Sequence, residues 1–454
     1  MTAATIQPLA RPSLSALQGL RPADAAVGAT LAWWATAFTW GSGGQDPHLL
    51  TVSLVLLAVA TAAVRPWERL PAWLVGLVAS VGVAAFTVAL VSPSGWKGAI
   101  EAASYVFASQ LGLVLVAWLD EQRRTGLAAL LLAATLFEFA KGFVQWWASG
   151  SADHIFVGTF YWHNQTGVFL VMGVALGLML VDQPSPVVAG LGWLAVPLCS
   201  AGVVYTTSRA AQIAMLLAYG VAGLAAVGFH GRRLISLGRL AVLAALSVVV
   251  TQFLAGPPVF SERVTASLGQ GDRHEPLTGT TAYRLDFWRQ GWDVFTHWPL
   301  TGAGFHSFAE ASKRVDPGKQ VSSAYAHNGF VQLLSDGGLV LTVPVVAVLA
   351  VAWLAGARRA VAGARSGDSV QAAAFLALTL LLLHSGMDFD WGYPSLLSAA
   401  ALLAALSAPS LSRRSISPRR SLLIAGATVG LIGIAAVVAW GGTIQLSIPI
   451  GGGS

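Results

Sequence analysis

Cysteine occurs once in this chain, as Cys199 inside an apolar run. A single thiol excludes an internal disulfide and any metal site built from several cysteines. Charge is scarce too: 10% of the 454 residues are Asp, Glu, Lys or Arg, against about 25% in an ordinary soluble domain. That scarcity excludes a chain made of soluble domains. No internal repeat stands out, and no low-complexity segment lies beyond the apolar runs. No small-residue cleavage site follows the N-terminal tail, so no cleavable signal peptide is expected. What is present is 55% hydrophobic residues and 49 Gly. The class this predicts is an all-α polytopic membrane bundle, in which small residues let helices approach closely.

A helix that crosses a bilayer needs about 20 apolar residues. Runs of that kind fall near 25–41, 48–64, 71–91, 99–119, 125–147, 165–181, 185–206, 209–229, 238–256, 337–355, 370–387, 394–409 and 421–440. Arg65 and Arg69, Arg123 and Arg124, Arg232, Arg233 and Arg239, Arg358, Arg359 and Arg365, and Arg413, Arg414, Arg419 and Arg420 occupy alternate loops. The positive-inside rule makes those loops cytoplasmic, with residues 1–24 as a cytoplasmic tail. The net charge of +6 is thus explained by topology, and no nucleic-acid partner is expected. The chain divides into a first bundle segment (25–256), one long external loop (257–336) and a second bundle segment (337–441). The terminal GGGS at 451–454 reads as a linker scar.

A loop as long as 257–336 is usually functional. Within it, TAYRLDFWRQGWDVFTHW places Leu285, Trp288, Trp292 and Phe295 at helical spacing, which predicts an amphipathic helix on the membrane surface. HNGFVQLLSDGG predicts a second short helix ended by Gly337 and Gly338. His48, His154, His163, His274, His297, His306, His327 and His384 all come out on or near the outer side, as do Glu101, Glu138, Lys141, Arg209, Asp388 and Asp390. A charge near mid-bilayer costs about 2.5–3.5 kcal/mol on insertion scales, so such groups pair or line a wet cavity. Glu138 and Lys141, three apart on one helix, are expected to pair with each other.

Arg209 opens a span in YTTSRAAQ. There it adds to the positive end of the helix dipole, an arrangement suited to an anion. Asp388-Phe389-Asp390 matches a pattern used for divalent ions, yet residues two apart on a helix diverge. The expectation is that one aspartate orients a histidine or pairs with an arginine, and that no metal is held. His327, beside Asn328, is the natural group to accept a hydroxyl proton.

GTFYWHNQTGVFL (158–170), YTTSRAAQ (205–212), YRLDFWRQGWDVFTHWPLTGAGFHSF (283–308), AHNGFVQLLSDGGL (326–339) and HSGMDFDWGYPS (384–395), in this order, resemble the O-antigen ligase and polymerase superfamily of bacterial envelope proteins. The resemblance implies a GT-C-like glycosyltransferase of about 12–13 spans in the bacterial inner membrane, its site facing the periplasm. It implies His327 as catalytic base and Arg209, Arg284 and Arg289 on the diphosphate of an undecaprenyl-diphosphate-linked O-antigen donor. Asn328, Asn164, Asp388 and Tyr283 take supporting roles. The resemblance further implies lipid A-core as acceptor, membrane lipids around the protein, and a reaction that is metal-independent, inverting and without cofactor. One departure from the family pattern is Leu341, which takes the place of a glycine and is expected to loosen helix packing there. The alternatives are an O-antigen polymerase extending lipid-linked repeats, a protein-directed oligosaccharyltransferase, and a transporter for an anion or lipid-linked sugar. Transport would put its polar residues at mid-membrane in broken helices; here they gather at one face.

Overall fold

Each apolar run folds as a helix, because a chain in lipid satisfies its backbone groups only within itself. The computed structural model describes residues 21–149, 155–228, 233–255, 277–318, 322–366, 369–408 and 418–447. Most of the expected tail (residues 1–20 of 1–24), the first part of the long loop (257–276) and the linker at 451–454 lie outside the described residues.

In chain order the helices are α1 (Pro22–Trp33), α2 (Pro47–Val64), α3 (Ala72–Val91), α4 (Ala99–Trp118), α5 (Glu121–Ala148), α6 (His163–Leu180), α7 (Pro186–Tyr205) and α8 (Arg209–Gly228). They continue with α9 (Arg233–Ala255), α10 (Leu277–His297), α11 (Phe308–Val315), α12 (Gly329–Ser366), α13 (Ser369–Ser385), α14 (Pro394–Ser407) and α15 (Pro418–Ser447). There is no strand among the described residues. Ten of the helices are long and apolar enough to cross a membrane; α13 and α14 are apolar but shorter. The first expected span is α1 running on through a π-helical stretch, Trp34–Phe38. There the Thr39 hydroxyl donates to the Trp34 carbonyl at 2.6 Å. The chain is an all-α polytopic membrane protein.

The centre of the bundle is α6, buried at every position from Asn164 to Leu178. Small residues make this possible. A Cβ on Gly192 of α7 would lie 3.1 Å from the Gly177 carbonyl of α6, so the two backbones approach as only glycine allows.

The polar groups are sorted to the two ends of the bundle. At one end Arg123 pairs with Asp24 at 2.8 Å, Arg69 donates to the Ala117 carbonyl at 3.0 Å, and Arg124 donates to the Leu406 carbonyl at 2.6 Å. Arg239 pairs with Asp182 there. At the other end Gly43 lies against Phe160 and Tyr393, Thr159 donates to the Thr39 carbonyl at 3.2 Å, and the Ser94 amide donates to the Ala303 carbonyl at 3.1 Å. The expected alternation of arginine-rich and arginine-poor loops is thus a physical separation. Helix α15 runs the full distance: Arg419 opens its apolar stretch, and Trp440 meets the His48 ring at 6.5 Å near the arginine-poor end.

Two local expectations are corrected. Glu138 and Lys141 do not pair. The Glu138 carboxylate accepts from the Thr159 amide at 2.6 Å and hydroxyl at 2.5 Å, while Lys141 sits over the Trp40 ring at 5.8 Å. Burial of Glu138 to 1% exposure leaves it out of reach of a long flexible ammonium, and two directed donors satisfy it instead. Leu341 does not loosen its helix, since it is fully buried and fills the space beside Gly337.

Helix α12 is broken at Gly338 (φ 52°, ψ −156°). The short helix expected after His327 is therefore its first part, and the membrane span follows the break. Amides freed there are taken by the loop before it: Leu339 and Val340 donate to the carbonyls of Pro299 and Leu300, both at 2.9 Å. Reciprocally, Ala303 and Gly304 donate to the carbonyls of Ser335 and Asp336 at 2.8 and 2.9 Å. A Cβ on Gly338 would strike the Leu300 backbone, in a conformation that L-residues avoid. Gly338→Ala is therefore expected to destabilise the protein by about 1–3 kcal/mol or more, read as a lower thermal midpoint in detergent. An unchanged midpoint would mean the break is relaxed without strain.

Helix α10 has two apolar faces rather than one. Phe287, Gln290, Gly291 and Val294 are buried against the fold, whereas Leu285 and Trp292 remain 44% and 54% exposed. Trp288 and Phe295 lie between these faces, half-buried.

Candidate active site

The arginine-poor end gathers three segments that are distant in sequence: the start of α6, the turn before α12, and the loop between α13 and α14. Helix α13 ends in a tight turn, with the amides of Met387 and Asp388 donating to the His384 carbonyl at 2.8 and 3.0 Å. That turn sends Asp388 inward, where it is 1% exposed. Its Oδ1 lies 3.2 Å from His327 Nδ1 and accepts from the Phe389 amide at 2.7 Å. Its Oδ2 accepts from Asn164 Nδ2 and lies 3.6 Å from Arg284 Nη2. Burial alone would raise the Asp388 pKa, but the His327 hydrogen bond and the charges of His327, His384 and Arg284 outweigh it and hold it down to about 2.

That ionisation decides the histidine tautomer. A carboxylate can only accept, so His327 Nδ1 carries the proton, and whenever the ring is neutral it is Nε2 that presents the lone pair. The ring itself is held from three sides. Its residue has φ 50°, a left-handed conformation uncommon outside glycine, although histidine, like asparagine and aspartate, adopts it more often than most. Asn328 fixes that turn as the helix cap, accepting from the amides of Phe330 and Val331 at 3.0 and 3.1 Å and donating to the Gly386 carbonyl at 2.8 Å. The Trp288 indole donates to the His327 carbonyl at 3.2 Å, and Phe287 faces the imidazole at 5.6 Å. The His327 side chain remains 26% exposed and that of Arg284 25% exposed, so both are open to a ligand.

Of the residues expected from sequence, His327, Arg284, Asn164 and Asp388 meet directly, with Asn328 as the cap that positions them. Arg209 opens α8 close by. The Thr206 carbonyl just before it meets His163 Nδ1 at 2.9 Å, next to Asn164, and a Cβ on Gly167 would lie 3.3 Å from Ser208. Tyr283 precedes Arg284 and is 37% exposed. Arg289 is not brought in. Its side chain is 76% exposed and pairs with Asp286 at 3.3 Å on its own helix, since residues three apart share a face and five apart do not.

Sequence reasoning did not select a second pair behind the first. His384 Nδ1 meets Asp390 Oδ2 at 2.8 Å, both side chains fully buried. Ser385 and Gln165 donate to the same carboxylate at 3.0 and 3.3 Å, and Trp391 donates to the Ser385 hydroxyl at 3.0 Å. The signal was the Asp-x-Asp spacing itself: once the helix has ended, neighbouring aspartates serve different histidines. Among the described residues no group of three or more His, Cys, Asp or Glu converges as a metal site requires.

Comparison with curated proteins finds no match. Residues 194–346, which carry Arg209, Arg284 and His327, match the family model described as O-antigen ligase. With the helical membrane architecture and the site now in view, the chain is similar over that stretch to the O-antigen ligase family.

Proposed function

We propose that this protein transfers O-antigen polysaccharide from undecaprenyl diphosphate to lipid A-core at the periplasmic face of the bacterial inner membrane. The observation that supports this reading best is Asp388, which joins a general base, His327, to a phosphate-binding cation, Arg284, in one hydrogen-bonded unit.

The acceptor hydroxyl gives its proton to His327 Nε2 as its oxygen attacks the anomeric carbon of the donor glycan. The bond from that carbon to the phosphate oxygen breaks on the opposite face, so the configuration inverts. The diphosphate leaves on its lipid with one more negative charge. Arg284 meets that charge with donors its Asp388 contact leaves free, since a guanidinium has five. Arg209 adds a second cation at a helix start that already favours anions. Fixed guanidiniums in a poorly hydrated site stabilise developing charge by preorganisation, so the reading needs no divalent ion.

The test is a transfer assay with purified protein, undecaprenyl-diphosphate O-antigen and O-antigen-free lipopolysaccharide, in chelator, resolved on a gel. Glycan on lipid A-core supports the ligase reading. Lengthening of the lipid-linked glycan alone makes the protein a polymerase, and no transfer by folded protein sinks both. In the same assay Arg284→Gln is expected to lose about 10²–10³-fold in kcat/KM, whereas Arg289→Gln stays within about twofold because its charge is solvated. Equal losses at the two positions would remove Arg284 from the diphosphate site.

A further inference from the structure

The two arginines of the proposed diphosphate site stand far apart in sequence, Arg284 on α10 and Arg209 at the start of α8. One diphosphate can meet both only if their spacing is set. The first turn of α6 reaches towards each of them. Asn164 reaches one way: its amide donates to Asp388 Oδ2, and that same oxygen lies 3.6 Å from Arg284 Nη2. His163, the residue before it, reaches the other way, with Nδ1 2.9 Å from the carbonyl of Thr206, three residues before Arg209. A carbonyl can only accept, so His163 Nδ1 carries a proton whether the ring is neutral or charged. Helix α6 is the buried centre of the bundle, which makes it a rigid base for both arms.

The turn that His163 grips has no slack. Thr207 has φ 56°, an outlier for a β-branched residue, and such strain persists only where the surroundings over-determine it. Here they do. The last carbonyls of α7 are taken in turn: Val203 by the Thr206 hydroxyl at 2.7 Å, Val204 by the Thr207 amide at 3.1 Å, and Tyr205 by the Phe156 amide at 3.4 Å. Thr206 comes last, and its donor is the His163 ring. Thr206 is fully buried, so without that donor its carbonyl must turn to find another partner. Gly167, one turn along α6 from His163, lets the start of α8 press close: a Cβ there would lie 2.8 Å from the Ala211 side chain and 3.2 Å from the Thr206 hydroxyl. Rotation of the Thr206 carbonyl would therefore carry Arg209 with it.

We infer that His163 is a positioning residue for glycosyl transfer, setting Arg209 at a fixed distance from Arg284 through its hydrogen bond to the Thr206 carbonyl. The inference rests on the diphosphate reading of the two arginines and deepens it. His163 and Asn164 act as two arms of one spacer, each setting one guanidinium, so the cradle for the anion is built before the anion arrives. His163 itself touches neither substrate.

The test uses inorganic diphosphate, titrated calorimetrically onto the full-length protein in detergent, with thermal unfolding of each preparation. His163→Phe keeps a ring and removes the donor; diphosphate affinity is expected to fall about tenfold, the worth of one hydrogen bond to a charged group. In transfer the donor KM rises by a similar factor while the acceptor KM holds. His163→Asn puts an amide N–H where Nδ1 stands and is expected to restore most of the affinity. His163→Gln puts its amide where Nε2 stands and is expected not to. Rescue by the glutamine rather than the asparagine overturns the inference, since the ring would then be meeting the anion through Nε2. With Arg209→Gln already made, His163→Phe should change nothing further; additive losses would mean that His163 does not act through Arg209. Unchanged affinity in folded His163→Phe overturns the inference, as does absence of diphosphate binding by the unmodified protein; if His163→Phe does not fold, the asparagine and glutamine variants decide. The expected pattern in a protein that transfers no glycan would keep the positioning role and discard the ligase reading. Glycan transfer with a diphosphate affinity indifferent to His163 would do the reverse.

Discussion

His327→Ala is expected to lower glycan transfer by about 10²–10⁴, the usual contribution of a positioned general base, while the protein remains folded. The fold does not depend on the imidazole. Its turn is held by the Asn328 cap and the Trp288 bond to the backbone carbonyl, and Asp388 keeps Asn164, Arg284 and the Phe389 amide. The check pairs initial transfer rates with thermal unfolding of the same preparation. A variant that keeps a tenth or more of the activity, about 1.4 kcal/mol of barrier at most, would exclude His327 as the base. Alanine must also adopt the φ of 50°, a region in which histidine is enriched, so only a drop in midpoint well beyond that backbone cost would point to a structural role instead.

The second large effect is expected at Asp388. Asp388→Asn preserves shape and the possibility of accepting from Asn164, but an amide can donate to His327 Nδ1. That would move the ring proton to Nε2, the atom that must accept from the acceptor hydroxyl, and would leave Arg284 without its counter-charge. Transfer should fall by about 10²–10⁴, as expected when a base is held in the wrong tautomer. The signature is a loss in kcat larger than any loss in acceptor KM. A variant impaired only in donor KM would leave Asp388 as a mere anchor for Arg284. The acid dependence follows in sign. A carboxyl whose folded pKa is depressed to about 2 contributes stability above its ordinary pKa, and that contribution is lost as the pH falls through about 2. The Asp388 carboxylate is therefore expected to stay ionised throughout the neutral and mildly acidic range.

Much of this was legible in the sequence because membrane physics writes it in large letters. Thirteen apolar runs became helices near the expected limits, since a span must be long and nearly free of charge. Gly337 and Gly338 marked the break before the last segment for the same reason: only glycine reads as a stop there. His327 and Arg284 could be selected one by one, and an aspartate of the Asp-x-Asp pair was expected to orient a histidine or pair with an arginine; that one carboxylate, Asp388, meets both could not be read, because it lies sixty-one residues after His327. Arg289 was not brought to the cluster, for a short-range reason. Its spacing from Arg284 sets it on another face of α10, a distinction that a list of arginines in a loop does not contain. The buried His384–Asp390 pair was hidden by the Asp-x-Asp pattern, whose helical reading failed once α13 ended before it. For Glu138 the helical i,i+3 rule was outbid by a loop hydroxyl, Thr159, that approaches only in the folded chain.

The clasp between residues 299–304 and 335–340 is made of main-chain bonds, four of them across the break in α12. Side chains scarcely enter it. The placement of the His327 turn is thus insulated from sequence drift in that loop, with Gly302, Gly304 and Gly338 as the exceptions, since each has positive φ and a Cβ there would strike a neighbour. Loops of divergent sequence could hold the same turn in the same place, provided those three positions, and Gly337 against Leu341, keep no side chain. Grafting the loop from a distant relative, glycines retained, should leave the site assembled.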